Sequence, residues 1–202
     1  MLFQINQAER IMSTLKQRYV WLLRHPRNSD IREHLPILYD LANKCSHITE
    51  FGTRDGISTT AFLYAPNVQT VVAYDIADCS LTVSELRDYL KESNRDVQFD
   101  FCQADVLTVE IAETDLLFID TLHTKVQLEA ELKLHADKAR KWIVLHDTTT
   151  YGERGEVPNS RKFQGIGLWP AVVEFLEKNK VWFLLRRYEN NNGLTILERK
   201  GV

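Results

Sequence analysis

Two glycines and a series of carboxylates carry the chemical signal of this chain. Residues 48–58 read Ile-Thr-Glu-Phe-Gly-Thr-Arg-Asp-Gly-Ile-Ser, a pattern of a short strand, a glycine turn and the first turn of a helix. Gly52 and Gly56 accept backbone angles that other residues resist, and they let a ligand come close to the main chain. The free N–H groups of the helix start then face whatever occupies the crevice. A pyrophosphate loop carries three glycines at G-x-G-x-x-G. Here two glycines stand four residues apart with Glu50 before them, and Ser58 follows on the helix. Such a loop suits a ligand with hydroxyls and an amino-acid end better than one with phosphates. The competing reading is a glycine turn of no special function in an α/β protein.

These residues are positioned by an alternation of strands and helices. Helical spacing covers 6–25 (Ile11, Leu15, Tyr19, Leu22), where Pro26 ends it, and 30–44, with Pro36 near its first turns. Strands are expected at 47–51, 70–76, 97–103, 114–119, 142–145, 181–187 and 193–198, and helices at 59–63, 82–91, 124–135 and 169–179. The runs Leu116-Leu117-Phe118-Ile119 and Trp142-Ile143-Val144-Leu145 are apolar throughout, as in strands buried on both faces of a parallel sheet. This order predicts a doubly wound α/β fold with a seven-stranded, mostly parallel sheet. Asn190-Asn191-Asn192-Gly193 is a tight-turn signal, so the last strand should enter antiparallel, as a C-terminal hairpin. Residues 1–45 read as an N-terminal helical cap and 46–202 as one globular unit. The polar stretch 148–164 is expected to be a functional lid or disordered, with Gly165-Ile166-Gly167 as its hinge and Trp169-Pro170 starting the next helix. Tyr151, Arg154, Phe163 and Trp169 are candidate substrate contacts, and loop anchoring explains each equally well.

In such a sheet, ligands bind beyond the carboxyl ends of the strands. Glu50, Asp75, Asp105, Asp120 and Asp147 stand at five successive strand ends. Helix capping accounts for any one of them, but not well for all five. Glu50-x-Gly52-x-x-x-Gly56-x-Ser58, Phe118-Ile119-Asp120-x-x-His123, Leu145-His146-Asp147-Thr148 and Gly167-Leu168-Trp169-Pro170 appear in that order. In these motifs the chain resembles the class I S-adenosylmethionine-dependent methyltransferases, from about Leu35 to the C-terminus. Among them it is most similar to the small-molecule O-methyltransferases grouped with cephalosporin hydroxylase-like and macrolide-sugar methyltransferases. The terminal hairpin separates that fold from nucleotide-binding dehydrogenases.

The resemblance implies roles for the cofactor residues. Gly52 and the neighbouring backbone face the methionine end of S-adenosylmethionine, with Glu50 supporting the loop, and Gly56 and Ser58 belong to the same motif. Asp75 accepts hydrogen bonds from the ribose hydroxyls, for which a carboxylate with two accepting oxygens is suited. Asp78 competes with it but reads better as a helix-start residue. Ala104 and Asp105 lie beside the adenine, where Asp105 accepts from the exocyclic amine. Methyl transfer to a hydroxyl is an in-line displacement with the sulfonium as leaving group. The protein must align the reactants, exclude water and remove the hydroxyl proton. A divalent metal helps in the last task, and Asp120 and Asp147 supply two hard oxygen ligands from adjacent strands. In the resembled metal-dependent enzymes a carboxylate or amide accompanies them. Here the companion is His146, which favours Mn, Fe, Co or Zn over Mg, or marks a site that takes no metal. His123 stands where related enzymes place a Lys or His base, and a neutral imidazole is the expected chemical type. A helix-start residue bonding backbone is its plainer reading, and His146 could equally serve only to orient a neighbour. His25, His34, His47 and His135 read as bystanders.

The remaining features narrow the function. The chain has 202 residues, 44% hydrophobic and 26% charged, enough for one sizeable core. A net charge of −3 without basic clusters argues against a nucleic-acid partner. Asp120-Thr121-Leu122-His123 also lacks the Pro-Pro-aromatic sequence of amino-methylating nucleic-acid enzymes. Cys45, Cys79 and Cys102 have no metal spacing and, as an odd set, point to reduced thiols in a cytoplasmic setting. Residues 1–9 are too polar for a signal peptide, and no apolar run approaches ~18–20 residues, so no membrane span is expected. No two-His-one-carboxylate spacing supports a hydroxylase. The reading is an S-adenosylmethionine-dependent O-methyltransferase acting on a hydroxyl of a small molecule, a sugar or secondary metabolite, assisted by a divalent metal (Mg or Mn, or else Zn or Fe) and a His base. A non-catalytic cofactor- or partner-binding domain is the alternative, and a homo-oligomer is compatible with either.

Overall fold

Strand β4 (Thr114–Ile119) is buried at every residue, as its uninterrupted apolar run requires of a strand covered on both faces. The computed structural model describes residues 13–25, 30–157 and 162–201 of the chain. Around β4 lie β1 (His47–Phe51), β2 (Thr70–Asp75), β3 (Gln98–Gln103) and β5 (Ala139–His146), and β8 (Trp182–Tyr188) and β9 (Leu194–Arg199) complete the sheet. The order is β3-β2-β1-β4-β5-β9-β8. Strands β1 to β5 pair in parallel, and β9 runs antiparallel to both β5 and β8. The expected seven-stranded sheet with its antiparallel terminal strand is the observed one. Asn191, Asn192 and Gly193 all take positive φ in the turn between β8 and β9, a conformation that Asn and Gly tolerate best.

Side chains alternate across the sheet and build two cores. Leu116 and Phe118 face a cluster with residues of α1 (Leu15–Arg24), α2 (Leu35–Ala42), α3 (Ile57–Tyr64) and α4 (Ser80–Glu92). Leu117 and Ile119 face the other cluster, with α5 (Lys125–His135) and α6 (Leu168–Lys178). Among the described residues no helix is long and apolar enough to cross a membrane.

Several boundaries differ from the sequence expectation. Within the described residues the first helix begins at Leu15, where Thr14 and Gln17 form a reciprocal capping box. Residues 6–12 of the expected helix and Pro26, its expected stop, lie outside the described residues. The helix expected at 30–44 divides into a 3-10 turn (Arg32–His34) and α2, which starts where Pro36 occupies one of its first positions. The 148–164 stretch carries structure of its own, a two-stranded antiparallel ribbon of β6 (Arg154–Glu156) and β7 (Phe163–Ile166). Residues 158–161 between them lie outside the described residues.

Candidate active site

The carboxyl ends of β1, β2 and β4 meet at Gly52. Its N–H donates to the Tyr74 carbonyl at 2.8 Å, and the Asp120 N–H donates to the Phe51 carbonyl at 2.9 Å. Gly52 has φ +90°, and a Cβ there would sit on the Asp120 carbonyl, so only glycine lets the loop leave the sheet this close to β4. Beyond it lies a cleft of about 610 Å³ whose walls include Gly52, Arg54, Asp75, Ile76, Ala104, Asp105, Asp120 and Glu156. Five residues expected from the sequence to meet a cofactor or acceptor (Gly52, Asp75, Ala104, Asp105 and Asp120) therefore share one cleft. Ile76, an apolar side chain 74% exposed, stands on its wall.

Asp75 has structural partners at both oxygens. Oδ2 accepts from the Thr53 and Arg54 N–H groups at 2.9 and 3.0 Å, and Oδ1 accepts from the Ala77 N–H at 2.8 Å. The carboxylate thus holds the glycine loop in place as well as bordering the cleft. Asp105, an exposed residue, accepts from the Leu107 N–H. Glu50 and Gly56 do not line this cleft, and Ser58 lines a smaller pocket beside it together with Gly52, Arg54 and Asp120. Glu50 is fully buried and accepts from the hydroxyls of Ser58 (2.5 Å) and Thr59 (2.6 Å). Burial pushes its carboxyl up to about 8, against the pull of those two hydroxyls. Gly56, with φ +65°, starts α3, and a Cβ on it would press on Thr82 and Leu86 of α4. Its glycine serves helix packing.

At its Asp120 end the cleft adjoins a cluster of charges. His123 Nε2 lies 3.2 Å from Asp120 Oδ1 and 3.0 Å from Asp147 Oδ2, and Nδ1 lies 3.1 Å from Glu156 Oε1. The Nδ1 contact is not aligned as a hydrogen bond and acts as an ion pair. The His123 main-chain N–H also donates to Glu156 Oε1 at 2.9 Å, and the main chains join where the Glu156 N–H donates to the His123 carbonyl at 3.1 Å. Burial works against a charge on His123, yet its three carboxylate neighbours push it up to about 12. Burial likewise opposes ionisation of Asp120, but His146 and His123 hold it well below the usual carboxylate range. With these neighbours, the ring expected to be neutral is pushed towards the imidazolium form. Asp147 adopts φ +59°, a left-handed position that Asp tolerates better than most residues. Its carbonyl accepts from the Tyr151 N–H, closing a turn that lays the Tyr151 ring on His123 with centroids 4.6 Å apart and planes within 7°.

His146 is buried beside the same carboxylates. Its Nδ1 lies 3.4 Å from Asp120 Oδ2 and 3.7 Å from Asp147 Oδ1, and its Nε2 is 3.4 Å from the Asn191 carbonyl. Burial disfavours its charge, and Asp120 and Asp147 outweigh this to raise it to about 9. His146 Nδ1 and Asp147 Oδ1 are both buried and have no hydrogen-bond partner. Unmatched buried donors and acceptors are rare in folded proteins and often mark a missing ion or water. Asp120, His146 and Asp147 can each offer one ligand atom, all within 4.8 Å of one another. Two carboxylate oxygens and an imidazole nitrogen fit a divalent ion.

Two carboxylates of this region escaped the sequence reading. Glu156 reaches His123 from the ribbon, 33 positions along the chain, and no spacing could signal that pairing. Glu131 is 1% exposed on α5 and accepts from Thr121 Oγ1 (2.5 Å) and Gln127 Nε2 (2.8 Å). Its place between Leu128 and Leu132 on an apolar helix face was a readable sign of a buried acid. Of the candidate substrate contacts, Trp169 stacks under the Arg187 guanidinium at 3.8 Å, and Arg154 and Phe163 belong to the ribbon. His34 and His135 bond the carbonyls of Asn190 and Val106.

No protein-family profile and no curated protein sequence matches this chain. Solved structures do. A Podospora anserina methyltransferase bound to S-adenosylhomocysteine superposes with a TM-score of 0.61 at 16% identity, over 99% of this chain and 98% of that one. The O-methyltransferase TomG of Streptomyces achromogenes, involved in tomaymycin synthesis and solved with S-adenosylmethionine, gives 0.57 at 16% identity over 93% and 90%. The N-methyltransferase NodS of Bradyrhizobium japonicum, bound to S-adenosylhomocysteine, gives 0.57 at 14% identity over 93% and 99%. The last two are named for different acceptor atoms on one scaffold, and likeness at such low identity speaks for the scaffold. The chain has the Rossmann-like fold of the class I S-adenosylmethionine-dependent methyltransferases.

Proposed function

We propose that this protein transfers a methyl group from S-adenosylmethionine to a hydroxyl of a small molecule, a sugar or secondary metabolite. The observation that carries the reading is Asp120, which borders the cleft and also touches both His123 and His146. A donor site and a proton-handling cluster thus share one residue. The apolar face of Ile76 suits a purine ring, Asp75 suits the ribose, and the loop at Gly52 suits the methionine end.

In the reaction the acceptor oxygen attacks the methyl carbon, the carbon–sulfur bond breaks towards sulfur, and the hydroxyl proton must leave. Asp120, His146 and Asp147 would hold a divalent metal, Mn or Zn or Fe by the donor set, with Mg less suited to the imidazole. Such an ion lowers the hydroxyl's pKa and fixes its direction. Were Asp120 and Asp147 engaged as ligands, His123 would keep Glu156 at Nδ1 as its charged partner, and Nε2 would be the atom to take the proton. Glu156 and the Tyr151 ring hold the imidazole in plane. Of the N-terminal segment, the described helices α1 and α2 act as a helical cap, in line with their packing on α3.

The test is isothermal titration of S-adenosylhomocysteine into metal-stripped protein, repeated with Mg, Mn and Zn. Micromolar binding and a heat specific to one metal are expected, with Asp147→Asn weakening that metal ~10-fold or more by removing a charged ligand. Failure to bind S-adenosylhomocysteine under every condition would overturn the reading. Full metal affinity in Asp147→Asn would remove the ion site alone.

A further inference from the structure

Glu131 is a buried carboxylate to which the proposed reaction gives no work. Burying a carboxylate is unfavourable unless its hydrogen bonds are made, and an apolar residue would continue the α5 face on which Leu128 and Leu132 lie. Both of its donors, the Thr121 hydroxyl and the Gln127 side-chain amide, meet the same oxygen, Oε1. Both also line the 610 Å³ cleft, near Ile76, Ala104 and Asp105. An amide has a donating end and an accepting end, and its neighbours decide which way it turns. An ionised carboxylate only accepts. Gln127 must therefore give its NH2 end to Glu131, which leaves its carbonyl oxygen for the cleft.

We propose that Glu131 is a positioning residue that fixes the Gln127 amide with its carbonyl towards the cleft, and so selects a cofactor whose purine carries an amino group at position 6. The proposal rests on the reading of this cleft as the cofactor site. A 6-amino group donates to that carbonyl, whereas a 6-oxo group sets acceptor against acceptor. Thr121, held by the same oxygen, keeps the β4 end in register with Gln127.

The test compares binding of S-adenosylhomocysteine and S-inosylhomocysteine by titration at pH 8.5, above the value of about 7 to which burial raises Glu131. The wild-type protein should prefer the adenosyl compound by ~10-fold or more, the worth of one good hydrogen bond against one mismatch. Glu131→Gln keeps the volume but lets the Gln127 amide turn either way, and it should lower the ratio ~3-fold or more, leaving only the preference that Asp105 supplies. Gln127→Ala, a change at a half-buried position, should do the same and carries the test if Glu131→Gln does not fold. Adding Glu131→Gln to Gln127→Ala should change the ratio no further, whereas a merely structural role would lower both affinities together. A wild-type ratio retained in both single variants overturns the proposal and leaves the cofactor site standing. If the wild-type protein binds neither compound, the cofactor reading falls and this proposal falls with it.

Discussion

The two halves of the site are stabilised by different means. In the proposed cofactor half, the acidic side chains are satisfied by neutral groups close at hand. Asp75 takes three main-chain N–H groups, and Glu50 takes two hydroxyls from the first turn of α3. In the half proposed to handle the proton, charges meet charges, with His123 Nε2 between Asp120 and Asp147 and Nδ1 against Glu156. Main-chain donors do not move when a ligand arrives, so the first half is organised in advance. A packed set of an imidazolium and carboxylates has a charge balance that any new cation or proton acceptor must change. The first half is built to bind, the second to respond.

The largest expected effect comes from removing the centre of the charged half. His123→Ala should slow turnover ~10²-fold or more if Nε2 takes the proton, with S-adenosylhomocysteine affinity kept. It also leaves Asp120, Asp147 and Glu156 without their shared cation, which should cost about 3 kcal/mol of stability that added divalent ion restores. Intact turnover would move the base elsewhere, and an unchanged unfolding midpoint would deny the charge coupling. Next comes Asp75→Ala, which should weaken cofactor binding by about 1–3 kcal/mol as charged hydrogen bonds are lost. Unaltered affinity would misplace the ribose site and leave Asp75 as a loop anchor only.

The smallest effect on turnover and binding should come from Glu50→Gln, which is read instead as stability against pH. Its folded-state carboxyl lies near 8, above the ordinary 4.5, so the folded chain holds the proton more tightly than the unfolded one. That contribution is complete below pH 4.5 and is lost as pH rises through 8. His123 and His146, raised to about 12 and about 9, also contribute below pH 6.5 and lose their share as pH climbs through those values. Glu50→Gln should therefore remove only the part of the decline between pH 4.5 and 8, visible as a shallower slope of unfolding midpoint against pH. The same slope in variant and wild type would show that Glu50 is ionised in the fold.

The sequence was a good guide where a local pattern reflects burial. The strands expected at 47–51 and 114–119 are β1 and β4 without change; for β4 the reason is that its apolar run Leu116–Ile119 has one comfortable place in a doubly wound sheet. The hairpin at 190–193 was equally legible, since three consecutive positive φ angles call for Asn and Gly. Legibility failed where structure depends on partners far along the chain. The β6–β7 ribbon has no alternation of its own, and a Cβ on Gly155 would come within 3.2 Å of the His123 carbonyl. Gly56 looked like a ligand-facing glycine, but the crowding that requires it comes from α4, some 26 to 30 residues on.

Composition and periodicity by themselves determined the sheet, its terminal antiparallel strand and the row of acids at its carboxyl edge, because burial period and turn chemistry are written locally. Which acids would share a ring, which would be spent on backbone donors, and that His123 would be charged were decided only by the tertiary structure. A side chain's protonation state and free hydrogen-bonding capacity depend on everything within a few ångströms, and here those neighbours come from β4, β5, the ribbon and the terminal hairpin.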